Sequence, residues 1–225
     1  MSALAPAEAY RLWAPSYSEE TAISYLENEL VSAMTPPLAG LRLLDAGCGT
    51  GRRMRGCGAA TAVGLEPSRA MLAAGKAPAG ETPCHRFVVG DVREIPLAAR
   101  AFDVVWCRLV LGHLPSIEGA YAELARVADT AALVIVSDFH PAAVDAGHQR
   151  SFRRGGDVVE VEHHVHRPAN HIQAAQAAGL DLCEMRDAKI GHDVRSFYES
   201  AGLLEAYSDH LGLPVVLGLM FRRER

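Results

Sequence analysis

The chain has 225 residues, 49% of them hydrophobic and 22% charged, with a formal charge of −5; this suits a single α/β domain with a sizeable core. The acidic balance gives no electrostatic reason to expect a nucleic acid or an anionic membrane as partner, and no stretch approaches the ~20 apolar residues needed to cross a bilayer. The opening MSALAPAEAYRLW lacks the charged and apolar regions of a signal peptide, and Cys48, Cys57, Cys84, Cys107 and Cys183 show no paired spacing, so the sequence reads as a cytoplasmic protein with reduced core cysteines.

In chain order, residues 7–34 read as helical with a break at Pro15, and Ile23, Leu26, Leu30 and Met34 fall near helical spacing before Pro36-Pro37 ends the segment. LRLLDAG is a short apolar strand, GRRMRGCGAA a brief helix, TAVGLE a second strand, and SRAMLAAGK a helix with Ser68 as N-cap. HRFVVGD and FDVVWC are the third and fourth strands, SIEGAYAELARVA a helix and AALVIVSDF the fifth strand. Buried strands alternating with helices predict a doubly wound parallel sheet. The last third changes rhythm: Gly155-Gly156 between two strand-like runs predicts a hairpin. ANHIQAAQAAGL is then a helix, DLCEMRDAKIG a strand, VRSFYESAGLLEAYSDHLG helical and PVVLGLMFRR a final strand.

The stretch DAGCGTG, residues 45–51, turns from a buried strand toward a helix. Such a turn brings backbone N–H groups close to a ligand. A dinucleotide fingerprint needs G-x-G-x-x-G, whereas Gly47, Gly49 and Gly51 are one residue short of that spacing, although Glu66 follows Gly47 by 19 positions. Asp45 at the mouth of the loop is awkward beside a pyrophosphate and suits a ligand carrying an ammonium group.

LLDAGCGTGR resembles motif I of class I S-adenosylmethionine (SAM)-dependent methyltransferases, and AVGLEPS, VVGDVREIPL and FDVVWCRLVLGHLP resemble the segments that follow it there. The opening YRLWAPSY is similar to that of the ubiquinone-biosynthesis-like (type 11) small-molecule subfamily, and GLPVVLGLMFRR resembles the reversed seventh strand of the fold. The resemblance implies a Rossmann-like seven-stranded sheet, last strand antiparallel, over a single domain spanning 1–225. Residues 1–40 would form an N-terminal helical cover and 141–170 a hairpin lid. It implies SAM as cofactor, held by Tyr17, Asp45, Gly47, Cys48, Gly49, Thr50, Gly51, Glu66, Pro67, Asp91, Val92 and Arg108, with Glu66 on the ribose and Asp91 and Val92 at the adenine edge. One departure is the short helix after motif I: only ten residues separate Gly51 from Ala62, and Arg52, Arg53 and Arg55 crowd its start, pointing either to solvent, the favoured reading, or to a carboxylate.

Methyl transfer requires alignment, exclusion of water and, for a high-pKa oxygen, a base. His113 follows the fourth strand and is equally readable as such a base or as a loop histidine bonded to backbone; His140, just past the fifth strand, is the second candidate for catalysis, and both are expected to face substrate with Tyr10. Residues 140–171 concentrate six histidines with Arg150, Arg153, Arg154 and Arg167. His163-His164-x-His166 argues poorly for zinc, because alternate residues of a strand face opposite ways and no cysteine is near, so no metal is expected. The bland reading is a polar hairpin edge. The sharper one is a cationic lid for an anionic or carrier-bound small acid, with Arg150, Arg153 or Arg154 forking onto it and Arg153 singled out as the binding residue. Phe139, Phe152, Phe197 and Tyr198 are readable as a pocket wall or as core. The expected reaction is methyl transfer to a small-molecule oxygen, with N- or C-methylation, a nicotinamide oxidoreductase or a non-catalytic SAM-fold protein as rivals.

Overall fold

The structure, a computed structural model, describes residues 3–75 and 85–224. Two helices open the chain, α1 (Pro6–Trp13) and α2 (Ala22–Met34). Residues between them are not helical, and α2 begins only at a reciprocal cap: Thr21 Oγ1 accepts from Ser24 N at 3.2 Å while Ser24 Oγ accepts from Thr21 N at 2.9 Å. Next come β1 (Arg42–Ala46), β2 (Thr61–Glu66), α3 (Arg69–Ala74), β3 (His85–Val89), β4 (Phe102–Arg108), α4 (Glu118–Val127) and β5 (Ala128–Phe139). Ser68 caps α3 as expected, its hydroxyl accepting from Met71 N. The remainder is α5 (Pro141–Asp145), the hairpin β6 (Ser151–Arg154) and β7 (Asp157–Glu160), α6 (Pro168–Ala177), β8 (Leu180–Lys189), α7 (Arg195–Ser200), α8 (Leu204–His210) and β9 (Pro214–Arg223).

Seven strands form one sheet in the order β3-β2-β1-β4-β5-β9-β8, with β9 antiparallel to both its neighbours. Period-two alternation sorts its side chains into two cores. Leu44, Val105, Cys107, Val134 and Val136 face α4 and α6; Leu43, Val104, Trp106 and Ile135 face α2. β6 and β7 form a separate two-stranded ribbon whose Gly155 and Gly156 both take positive φ, 58° and 96°, the twist a two-residue hairpin requires.

Several expectations change. The helix after motif I is a single 3-10 turn, Arg52–Met54, because so few residues return the chain to β2. Arg52 and Arg53 do not point to solvent: Arg52 donates to Ser18 O at 3.1 Å, and Arg53 donates to Glu20 at 2.7 Å and to Ser24 O at 2.7 Å. The helical run near the C-terminus divides at Gly202, φ 69°. Cys48 and Cys107 are core residues, but Cys183 is exposed on β8; Cys84 and Lys76 lie outside the described residues.

The N-terminal segment and the hairpin are one unit. Leu4 N donates to Glu160 O at 2.9 Å and Glu162 N to Leu4 O at 2.8 Å, and Trp13 stacks on Phe152 with centroids 4.9 Å apart. Phe139 belongs to the α2-side core, while Phe197 and Tyr198 pack against its margin and not in the cavity described next.

Candidate active site

At the carboxyl ends of β1, β2 and β4 the chain encloses a cavity of about 640 Å³. The loop after β1 makes its floor. Gly47 N and Cys48 N both donate to Leu65 O, at 2.7 and 2.9 Å, folding the loop over the tip of β2. Gly47 has φ +85°, and a Cβ there would overlap Val110, so both its conformation and its close approach to the turn after β4 require glycine. Glu66 locks the far side: Gly49 N donates to Oε2 at 3.0 Å and Ser68 N to Oε1 at 2.9 Å. Burial raises the Glu66 carboxyl above its usual range, against the opposing pull of those two N–H groups.

Asp45 lies beneath this floor on the α2 side of β1, 2% exposed, with Oδ1 buried and without a hydrogen-bond partner. Burial pushes its carboxyl up to about 7, with Arg108 opposing and the negative charges of Glu27 and Glu66 reinforcing. Thr50 Oγ1 is a second buried, unpartnered atom of the same loop. Beside them the Arg108 guanidinium forks onto Glu27, Nε to Oε1 at 2.9 Å and Nη2 to Oε2 at 2.7 Å, and Ser137 Oγ donates to the same carboxylate at 2.7 Å. A ligand with a free ammonium fits here, since it would supply the donor Asp45 lacks. Asp45, Glu66 and the glycine loop thus suit the amino-acid tail and ribose of SAM.

Of the expected cofactor residues, Tyr17, Gly47, Gly49, Glu66, Pro67, Asp91, Val92 and Arg108 line the cavity, whereas Asp45, Cys48, Thr50 and Gly51 support it from behind. Asp91 faces the cavity with its carboxylate held by Arg93, through the backbone N at 2.8 Å and Nη2 at 2.7 Å. Glu27 was not anticipated; its place four residues after Ile23 and three before Leu30 on an amphipathic helix was the available signal.

At the other end, Tyr10 and His113 line the cavity, and Tyr10 Oη lies 2.9 Å from His113 Nε2. Arg150 donates through Nη1 to Leu109 O at 2.8 Å and also to His113 Nε2. A guanidinium only donates, so His113 Nε2 accepts and Nδ1 carries the hydrogen, facing Glu162 O at 3.5 Å. Burial, with Arg150 adding to it, lowers the His113 imidazole to about 2. His113 is therefore neutral, with its acceptor nitrogen engaged.

Two expected substrate residues lie elsewhere. His140 Nδ1 accepts from Ala142 N at 3.1 Å as the cap of α5, and its Nε2 faces Asp187 at 3.5 Å; Pro141 starts a helix, not an extended exit. Arg153 is exposed on β6, opposite to buried Phe152; Arg150 is the arginine that packs against His113 and Leu109, behind the lining of the cavity. The histidine run packs along the turn after β4: His164 N donates to Gly112 O at 2.7 Å, and His166 Nε2 bonds Leu114 O at 2.8 Å. Among the described residues no group of three or more His, Cys, Asp or Glu is placed to hold a metal.

Residues 44–136 match the family described as "Methyltransferase domain". The chain is 31% identical over 180 residues to a malonyl-[acyl-carrier protein] O-methyltransferase from Serratia marcescens, covering 77% of this chain and 67% of that protein. It is also 31% identical over 128 residues to the enzyme of that name from Enterobacter lignolyticus, covering 55% of this chain and 49% of that protein. In fold it superposes on an S-adenosylmethionine-dependent methyltransferase from Mesorhizobium loti with a TM-score of 0.68 at 20% identity, over 88% of this chain and 98% of that one.

Proposed function

Since the chain belongs to the class I SAM-dependent methyltransferases of type 11, we propose that it methylates a carboxylate oxygen of a small acid, either free or presented on a carrier. The observation that carries this reading is the state of His113. The imidazole next to the acceptor end of the cavity is neutral, poorly basic and already accepts from Arg150, so it is a weak candidate for removing a proton from a phenol or alcohol. A carboxylate arrives ionised and needs no base. The similarity to enzymes named for O-methylation of a malonyl group points the same way.

SAM, when bound, supplies a methyl group on a sulfonium, which an oxygen lone pair displaces with a neutral thioether as leaving group. The work left to the chain is positioning, which can contribute about 7–11 kcal/mol to such a barrier. Asp45, just behind the floor, would receive the ammonium, Glu66 the ribose hydroxyls, and Val92 with Asp91 would border the adenine. Tyr10, Tyr17 and Trp13 close the N-terminal side and exclude water. His113 shapes the acceptor end as a neutral hydrogen-bonding partner of Tyr10.

The test is turnover with isotopically labelled SAM against a panel of malonyl and other dicarboxylic monothioesters, phenols and amines. Methyl esters should form from the acids at neutral pH, with no product from the phenols. Methylation confined to neutral hydroxyls or amines would overturn the reading.

A further inference from the structure

Of the four arginines among the described residues that line the cavity, two are already neutralised: Arg108 pairs with Glu27 and Arg93 with Asp91. The other two, Arg11 and Arg69, make no hydrogen bond or ion pair with any described residue. Both are exposed, Arg11 in the last turn of α1 and Arg69 at the first position of α3. The two helices adjoin, so two uncompensated cations share one rim on a chain whose formal charge is −5. Helix stability accounts for only one of them. A cation suits the end of α1, but at the start of α3 it opposes the helix dipole.

This charge works against the cofactor. SAM carries one net positive charge, a sulfonium and an ammonium against one carboxylate, so unpaired cations at the rim disfavour its approach. Its own carboxylate would accompany the ammonium to Asp45, where Arg108 already supplies positive charge. The ligand of opposite sign is the acid of the reaction proposed above. We propose that Arg11 and Arg69 form the entry site for that acceptor, a cationic rim that captures a carboxylate-bearing molecule and favours it over neutral analogues. This rests on the methyltransferase reading and adds to it the place where the acceptor is chosen. An exposed pair acts through its field and not through one locked geometry. Its signature is therefore a few-fold effect per charge that fades as salt rises, with the cofactor site at Asp45 and Glu66 unaffected.

The test is calorimetry on protein saturated with S-adenosylhomocysteine, titrated with the N-acetylcysteamine thioester of malonate or with its neutral methyl ester. The wild type should bind the acid at least fivefold more tightly at about 20 mM salt than at about 500 mM, with no such change for the ester. The double variant Arg11→Gln, Arg69→Gln should lose at least fivefold in acid affinity at low salt and match the wild type at high salt. It should keep S-adenosylhomocysteine affinity within twofold, which also shows that it is folded. Arg153→Gln with Arg154→Gln removes the same charge from exposed β6 positions that do not line the cavity, and should change nothing. Acid binding that ignores the rim substitutions, weakens equally in the β6 variant or falls in parallel with nucleoside affinity would overturn the proposal, as would a nucleoside-loaded wild type that takes up no acid. Failure of the wild type to bind S-adenosylhomocysteine at all would instead sink the methyltransferase reading beneath it.

Discussion

Glu27 and Arg108 face each other across the α2–sheet interface through two parallel hydrogen bonds of 2.9 and 2.7 Å, with both side chains almost sealed from water. Burial by itself would raise the Glu27 carboxyl, but the adjacent Arg108 charge and its hydrogen bonds outweigh it and hold the group below its usual range. Removing one partner strands the other. Glu27→Ala should therefore cost about 3–5 kcal/mol in urea unfolding, while the double change Glu27→Met with Arg108→Met should cost far less. Because the folded carboxyl is depressed, the pair's contribution is present above the unfolded pKa near 4.5 and is lost as pH falls through the lower folded value.

Asp45 runs the opposite way. Its folded carboxyl is raised to about 7 from 3.8, so between those values the folded chain holds a proton that the unfolded chain has released. Stability then declines as pH rises across that window, by something on the order of 4 kcal/mol. Asp45→Asn should flatten the decline, measured by urea unfolding at pH 5 and pH 8. The same substitution should weaken S-adenosylhomocysteine binding at least tenfold at pH 8, since the neutral amide offers no charge to an ammonium.

His113 makes the pH dependence of turnover diagnostic. With its imidazole lowered to about 2, kcat should show no limb between pH 5.5 and 8, while KM for SAM should rise below pH 7 as Asp45 takes up a proton. A kcat limb near 6.5 that disappears in His113→Gln would show that the ring works as a base after all.

Glu66→Ala removes the acceptor for Gly49 N and Ser68 N as well as the proposed ribose contact. Calorimetry should show a loss of S-adenosylhomocysteine affinity of thirtyfold or more, about 2 kcal/mol, with a smaller effect on unfolding.

Trp13 stacks between Tyr10, centroids 5.6 Å apart, and Phe152 at 4.9 Å. Trp13→Ala should loosen α1 and the β6–β7 ribbon together, by about 2 kcal/mol. Hydrogen exchange at residues 4–14 and 150–161 should accelerate while the amides of β1, β4 and β5 keep their protection.

The central sheet was legible because each of its inner strands is an apolar run ended by a turn signal, and the glycine loop because an acid and three glycines at a strand's end disfavour regular structure there. The acceptor end was harder to read. Arg150, Arg153 and Arg154 look alike as letters, and strand phase alone does not separate them, since Arg154 shares the phase of buried Phe152 yet is exposed while Arg150 is buried. His140 was read as a pocket residue because it follows β5, yet a histidine directly before a proline is also a helix start, and that competing role prevailed. The role of His163–His166 depends on a turn some fifty residues earlier in the chain, which local pattern does not reveal.

The N-terminal arm is fastened twice: Leu4 is stitched into the edge of β7, and Glu20 is clasped by Arg52 and Arg53 directly behind the glycine loop. With both ends pinned, α1 behaves as a bar across the entrance and not as a door swinging from one hinge. A ligand entering the cavity beneath α1 would therefore pass that bar, and loosening either fastening should quicken its exchange.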